Sequence, residues 1–219
     1  MAVFYNDFTN QQLQLGTVSC TTADLATNPT QCPFIAPPAA GIANAGKSAI
    51  KGVEMETSLK LFKGFNFDVA YAYLDTKIKE IALGSPPIGF KALTTAPAGG
   101  RIPLTPKHKY SATASYTLPL PEAVGRITLA ATHSYQTRMD GSVSSIASGL
   151  YTLPIQKQLD LSLNWSSIAR KPLDLSLFAT NVTAEKYYTF TTGASFGFDS
   201  AVLNEPRMYG ARLKYRFGS

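Results

Sequence analysis

The segment Gly193-Ala194-Ser195-Phe196-Gly197 matches the G-x-S-x-G pattern of a hydrolase nucleophile turn. That turn needs a strand before it, a helix after it, and acidic and histidine partners further along the chain. No histidine follows His133, and no helical pattern follows Gly197. The segment therefore indicates an ordinary loop, and we expect no catalytic residue and no enzyme activity.

Cys20 and Cys32 lie in one segment rich in Thr, Pro and Ala. A disulfide between them would close an exposed loop in an oxidising compartment, and two unrelated thiols are the alternative. A zinc site is disfavoured because His108 and His133 are both distant in sequence from the cysteines. The sequence predicts a Cys20–Cys32 disulfide, with no metal and no cofactor.

Basic residues recur at alternate positions near the C-terminus, at Arg212, Lys214 and Arg216. In a strand they share one face, opposite apolar residues such as Leu213 and Tyr215. One interpretation is a set of structural ion pairs with acidic residues on neighbouring strands. The other is an electropositive path that favours anionic ligands.

Aromatic residues gather in and beside the last long connection, at Tyr187, Tyr188, Phe190, Phe196 and Phe198. They could stack on a ligand, pack on each other, or mark a membrane interface. Together with the three basic residues, Tyr187 and Tyr188 are the candidate ligand-facing residues of the sequence.

The composition limits the class of protein. Charged residues make up only 16% of the 219, below the usual quarter for a soluble domain. The net charge of +6 is spread along the chain without a basic stripe, so we expect no nucleic-acid partner. No apolar run reaches the roughly 18 residues of a membrane helix, so any membrane crossing must use a closed β-barrel.

Period-two alternation of apolar and polar residues organises the chain. It runs through residues 53–61 and resumes after Lys63-Gly64 at residues 65–73. Similar runs occupy residues 3–15, 110–118, 127–132, 159–165, 173–178 and 209–217. The pattern predicts eight antiparallel strands, a tight turn at Lys63-Gly64, and no helices.

The connections between these runs alternate in length. The links at Lys63-Gly64, 119–125 and 166–172 are short, and those at 16–48, 80–106, 139–154 and 184–204 are long. Most of the runs are long enough to cross a bilayer at a tilt, which takes about nine to eleven residues. Short periplasmic turns and long external loops are typical of an outer-membrane barrel.

Four segments carry a family resemblance. They are NAGKSAIKGVEME at residues 44–56, IPLTPKHK at 102–109, LFATNVTAEKYY at 177–188 and EPRMYGARLKYRF at 205–217. In this order, and spanning most of the chain, they resemble strand openings and signatures in the barrel of TonB-dependent receptors.

The resemblance implies an all-β fold, an antiparallel transmembrane β-barrel. Residues 1–219 would supply about eight long strands, the C-terminal portion of a larger barrel, with no plug domain and no signal peptide recognised. The function implied is uptake of a scarce nutrient, most often a ferric siderophore, at the bacterial outer membrane. The partners implied are outer-membrane lipid, the small-molecule ligand, and the plug domain and TonB complex of the full-length protein.

Two further hypotheses stay open. A self-standing small outer-membrane barrel with a structural or adhesive role requires the first strand to pair with the eighth. A soluble β-sandwich binding module requires the apolar strand faces to form an internal core.

Overall fold

The computed structural model describes residues 1–37, 39–94, 98–141, 152–193 and 199–217, and strands dominate them. In chain order the elements are β1 (Ala2–Ser19), α1 (Thr22–Thr27), β2 (Ala40–Phe62), β3 (Phe65–Ile81), β4 (Phe90–Thr94), β5 (His108–Thr117), β6 (Arg126–Gln136), β7 (Met139–Asp140), β8 (Thr152–Leu153), β9 (Gln156–Ser166), a 3-10 turn (Ile168–Arg170), β10 (Leu173–Thr180), β11 (Tyr188–Gly193), β12 (Asp199–Leu203) and β13 (Met208–Tyr215).

One large antiparallel sheet contains all eight predicted strands, so the predicted all-β fold is confirmed. Its order is β13-β10-β9-β6-β5-β3-β2-β1-β4, in which every long strand lies beside the long strand that follows it in the chain. Two short hairpins, β7 with β8 and β11 with β12, stand outside this sheet.

The register joins the apolar positions of neighbouring strands into one face. Val53 pairs with Tyr73, and across the sheet Leu163 pairs with both Leu129 and Leu177. This face is not covered by protein, since Leu213 is 68% exposed and Leu61 is 62% exposed. Such a broad exposed apolar surface marks contact with something other than water.

The strands form a single layer, which excludes the soluble sandwich among the described residues. A sandwich buries the apolar faces of two sheets against each other. Here the buried apolar side chains are few and lie mainly toward the long connections: Cys20, Cys32, Ala36, Ala49, Ile78, Phe90 and Leu153.

The large sheet is also open along its length in the part that the structure describes. β13 pairs only with β10, and β1 pairs only with β2 and, near its end, with β4. The first and last long strands therefore do not pair, and the self-standing eight-strand barrel is not formed.

The lengths of the connections differ at the two ends of the sheet, as predicted. Lys63 and Gly64 form the turn between β2 and β3, where Gly64 has φ +86°, a left-handed conformation that glycine adopts without strain. The β5–β6 and β9–β10 links are also short. We call this end of the sheet the short-turn end and the opposite end the long-connection end.

Three details of the prediction were wrong. The chain does form helix α1, because Thr21 and Asp24 make a reciprocal capping box at its start. The strands reach further into the long connections than alternation indicates: β1 extends to Ser19 and β2 begins at Ala40. The remaining long connections hold β4, β7 with β8, and β11 with β12, because backbone pairing needs no alternation.

No helix among the described residues is long and apolar enough to span a membrane.

Candidate ligand-facing surface

The polar face of the sheet is held by hydrogen bonds between side chains on adjacent strands. Thr113 bonds Thr132 at 2.9 Å and Thr117 bonds Thr128 at 3.0 Å. Ser176 donates to Asn164 Oδ1 at 2.8 Å. These pairs satisfy short polar side chains within the wall, so they fix the sheet rather than offer groups to a ligand.

A groove of about 430 Å³ lies on the polar face toward the long-connection end. Four side chains form a row beneath it, because the register aligns Glu54 on β2, Lys109 on β5, Gln136 on β6 and Gln156 on β9. Tyr187 lines the groove at its far end. We call this set the polar groove.

Small residues create the space in the polar groove. Ala72 occupies the β3 position in the row, between Glu54 and Lys109, and Ala70 lies beside it next to Glu56. In the described part of the chain, Glu54 and Glu56 make no ion pair, so their carboxylates face the groove without a fixed cation. The groove thus offers two acids, the ammonium group of Lys109, two amides, two serine hydroxyls and a phenol, while Lys157 in its lining is paired with Glu185.

Tyr187 is fixed where the last long connection begins. Its backbone N–H donates to Asn204 Oδ1 at 3.0 Å, and its Oη donates to Gln158 Oε1 at 3.4 Å. Burial raises the pKa of Tyr187, with further contributions from Asp160 and Glu185. Its hydroxyl stays protonated at neutral pH and can both donate and accept a hydrogen bond.

Tyr188 lies on β11 and is more exposed than Tyr187. Its carbonyl oxygen accepts a hydrogen bond from Gln156 Nε2 at 3.1 Å. The hairpin of β11 and β12 is therefore attached to the polar groove at Gln156, the last residue of the row beneath it. Tyr188 is thus bonded to a residue of the groove without lining it, while Tyr187 is part of the lining.

Asn181, only 1% exposed, anchors the connection that carries these tyrosines. Its N–H donates to Asp160 Oδ1 at 2.8 Å, and its Nδ2 donates to the carbonyl oxygens of Glu185 at 2.9 Å and Glu205 at 3.0 Å. Asn204 Nδ2 donates to the same two carbonyls. Two asparagines thus tie the start of the connection to its end.

The basic residues Arg212 and Lys214 of β13, and Arg216 just after it, lie away from the polar groove, toward the short-turn end. Arg216 bonds Asp174 at 2.7 Å and reaches Ser167 Oγ at 3.3 Å, so it clamps the β9–β10 turn. In the register of the two strands, Arg212 lies opposite Ser176 and Lys214 lies opposite Asp174. Neither Arg212 nor Lys214 makes an ion pair with any described residue. The structure therefore separates the predicted set into tyrosines at one end and cations at the other.

Cys20 and Cys32 are joined by a disulfide and are both buried. The loop that they close packs on the β3–β4 connection, where Gln31 Nε2 donates to the carbonyl oxygens of Pro86, Pro87 and Phe90.

The two histidines bond to tyrosines on the apolar face. Tyr71 Oη lies 2.8 Å from His108 Nδ1, and Tyr110 Oη lies 3.1 Å from His133 Nδ1. Both histidines therefore have partners within an aromatic row. Residues 194–198, which hold most of the G-x-S-x-G pattern and Phe196 and Phe198, lie outside the described residues.

Reasoning from the sequence missed Lys109, Gln136 and Gln156 as members of a site. Each occupies a polar position of a predicted strand, but only the pairing register places them in one row. The register could have been estimated by counting outward from the Lys63-Gly64 turn and the short β5–β6 link.

A single-layer wall with one exposed apolar face, one polar face and loops of unequal length is typical of an outer-membrane β-barrel. The chain belongs to the TonB-dependent receptor-like β-barrel family, whose model matches residues 1–182. Members of this family are receptors and transporters of the outer membrane. No curated protein matches the sequence significantly.

Solved structures share the fold at low sequence identity. The ferric yersiniabactin uptake receptor FyuA from Yersinia pestis aligns with a TM-score of 0.66 and 15% identity, over 96% of this chain and 26% of that receptor. The siderophore receptor PiuA from Acinetobacter baumannii aligns with a TM-score of 0.61 and 17% identity, over 96% and 24%. The chain thus spans about a quarter of the length of these receptors.

Proposed function

We propose that the chain is part of the barrel wall of an outer-membrane receptor that takes up an iron–siderophore complex. The polar groove carries this proposal. It lies on the polar face of the wall, under the long connections, and it combines unpaired acids, amides and a neutral phenol. The siderophore receptors that share the fold support the same class of ligand.

The charged residues of the polar groove restrict the class of siderophore that it can bind. Because Lys157 is paired with Glu185, the two unpaired acids Glu54 and Glu56 outnumber the unpaired Lys109, so a polyanionic chelate is repelled unless the basic residues of β13 bind it instead. A neutral chelate that presents hydroxyl and carbonyl oxygens, such as a ferric hydroxamate, suits the amides of Gln136 and Gln156. The polar groove thus favours a neutral ferric hydroxamate over an anionic ferric catecholate.

The partners follow from the family. Lipid of the outer membrane would cover the exposed apolar face. A plug domain would fill the lumen that the polar face borders, and the TonB complex would supply the energy for transport. Covalent chemistry has no part in this proposal.

The test is uptake of iron-55 by iron-starved cells that express the protein, supplied as a neutral ferric hydroxamate or an anionic ferric catecholate. Replacing Tyr187 and Gln156 together by Ala removes two hydrogen-bonding groups. We expect roughly 30-fold weaker binding of the hydroxamate, because each such bond contributes about 1 kcal/mol and two are lost.

The matched variant replaces Arg212 and Lys214 by Ala on the same face. It should leave hydroxamate uptake unchanged. If this variant abolishes uptake and the Tyr187/Gln156 variant does not, the ligand site is the basic row of β13. If neither chelate is taken up by the unaltered protein, the siderophore proposal itself fails.

A further inference from the structure

Toward the long-connection end, the apolar face of the sheet carries charged side chains. On β3, Tyr71 and Tyr73 are followed on the same face by Asp75, Lys77 and Lys79. The register puts Lys51 of β2 opposite Asp75 and also opposite Tyr5 of β1. A tyrosine row therefore gives way to a belt of charges on the surface that carries the exposed leucines.

A second groove, of about 440 Å³, opens within this belt. Four cations line it: Lys51, Lys77, Lys79 and Arg101. Tyr5 and Asp75 are also part of its lining, and Asp75 is the one acid among the described residues that line it. We call this surface the cation groove.

The ion pairs leave an excess of positive charge in the cation groove. Lys51 lies 3.1 Å from Asp75, and Lys79 bonds both Asp7 and the Tyr5 hydroxyl. Lys77 and Arg101 have no acidic partner among the described residues. Two cations thus stay available to an anion.

The backbone around Arg101 is held in place. Ile102 N–H donates to Thr76 Oγ1 at 3.1 Å, and Ile78 N–H donates to the carbonyl oxygen of Gly100 at 2.8 Å. Arg101 Nη2 donates to the carbonyl oxygen of Thr105 at 3.1 Å. Thr76 and Ile78 are both buried, so the backbone that they hold beside β3 is fixed. The Arg101 guanidinium is therefore positioned before any ligand binds.

We propose that the cation groove binds a phosphate group of a phosphorylated glycolipid in the outer leaflet of the membrane. The proposal rests on the outer-membrane location given above. Cations just beyond an aromatic row lie at the level of lipid headgroups, and Arg and Lys bind phosphate through charge-assisted hydrogen bonds.

The surface below the groove favours a lipid over a soluble phosphate. Val3 is 72% exposed and pairs with Val53 on the same face, close to Tyr5. Acyl chains attached to a bound headgroup would cover these side chains. A bound inorganic phosphate would leave these apolar side chains uncovered.

The experiment uses the complete protein, purified in detergent, stripped of lipid and then mixed with phosphatidylcholine vesicles. The vesicles contain either diphosphorylated lipid A or the same lipid with its phosphates removed. Lipid retained by the protein is counted by native mass spectrometry. We expect roughly 10- to 30-fold weaker retention of the dephosphorylated lipid, the change expected for two surface cations.

The variant Lys77→Gln/Arg101→Gln should lose the same factor for diphosphorylated lipid A. The matched control Lys60→Gln/Arg126→Gln removes the same charge from the polar face near the short-turn end, and it should keep full retention. Lys77→Arg should also keep it. The heat-dependent shift in gel mobility of folded barrels shows which variants fold. If the double variant does not fold, the single variant Lys77→Gln is tested in its place.

Equal losses in variant and control would overturn the proposal, because only net charge would then matter. Equal retention of both lipids would overturn it as well. Competition by inorganic pyrophosphate as strong as that by lipid A would show a site for soluble phosphates instead. Iron-55 uptake tests the siderophore proposal, and lipid retention tests the lipid proposal. The two proposals can therefore fail independently.

Discussion

Asn181 has a backbone φ of +49° and a buried amide that serves two carbonyl groups. Its replacement by Ala leaves the carbonyls of Glu185 and Glu205 with one donor fewer in a place that water does not reach easily. We expect Asn181→Ala to lower the free energy of unfolding by about 1–3 kcal/mol. Urea titration of the protein refolded into detergent micelles measures this difference.

Two variants test the cause of that loss. Asn181→Gly relieves the strain of the positive φ but not the loss of hydrogen bonds, so it should be nearly as unstable as the Ala variant. Thr183→Ala, at an exposed position of the same connection, should change stability little. A Gly variant as stable as the unaltered protein would mean that conformation, and not hydrogen bonding, selects Asn181.

Asp24 gives the start of helix α1 a dependence on pH. The Thr21 side chain, with the Thr21 backbone N–H and Lys91, lowers the pKa of Asp24 from 3.8 to about 2. A lowered pKa means that ionised Asp24 stabilises the cap fully above about pH 4, and that this contribution is lost as the pH falls toward 2. Carbon-13 NMR of the Asp24 carboxyl group should show a midpoint near about 2.

Thr21→Val is the control for that titration. It removes the hydroxyl that bonds Asp24 Oδ2 at 2.6 Å while keeping the shape of the side chain. The midpoint of Asp24 should move up toward 3.8. A midpoint that does not move would assign the lowered pKa to the Thr21 backbone N–H and Lys91 instead.

Two glycines are covered by phenylalanines of the adjacent strand. Phe178 pairs with Gly210 across β10 and β13, and Phe4 pairs with Gly52 across β1 and β2. A Cβ at Gly210 would overlap the Phe178 ring, and a Cβ at Gly52 would lie 2.7 Å from Phe4 Cζ. An aromatic ring over a glycine of a neighbouring strand shields the exposed backbone and helps fix the register.

This pairing predicts the effect of a small substitution. Gly210→Ala displaces the Phe178 ring and should destabilise the protein by about 1–3 kcal/mol, the usual cost of overpacking. Adding Phe178→Ala should recover part of the loss, because the overlap is gone. Urea titration of Gly210→Ala, Phe178→Ala and the double variant measures these effects. If the double variant is less stable by the sum of the single effects, the two side chains do not interact.

The Phe178–Gly210 pair also shows what alternation can and cannot predict. Phe178 breaks the polar pattern of its strand, and no rule about a single strand explains it. The centres of the eight strands were predicted because each has one apolar and one polar face. The Ala40–Gly46 part of β2 was not predicted, because its pairing with β1 depends on backbone groups.

The candidate site was predicted in part for the same reason. Tyr187 stands out in the sequence as an aromatic residue of a long connection. Lys109, Gln136 and Gln156 look like ordinary polar positions of separate strands. Their common row follows from the register of four strand pairs, and a shift of one residue in any pair would remove it.

The whole sheet has two open edges, which predicts the result of cross-linking. Cysteines placed at Tyr5 and Tyr209 should form no disulfide within one chain, because β1 and β13 are at or near opposite edges of the sheet. Non-reducing gel electrophoresis after oxidation measures this. An intramolecular bond at high yield would mean that the chain closes into a small barrel.

A paired position supplies the positive control. Thr113 and Thr132 lie directly opposite each other on β5 and β6, with their hydroxyl groups 2.9 Å apart. Cysteines at these two positions should be close enough to bond under the same conditions. Failure of this control pair would contradict the register of the sheet itself.

Each long strand pairs with the next long strand in the chain, so no connection has to cross the sheet to restore a distant contact. Lengthening a loop costs little, about 0.6 kcal/mol for each doubling. Insertions and exchanges in the long connections can therefore accumulate during evolution while the wall keeps its register.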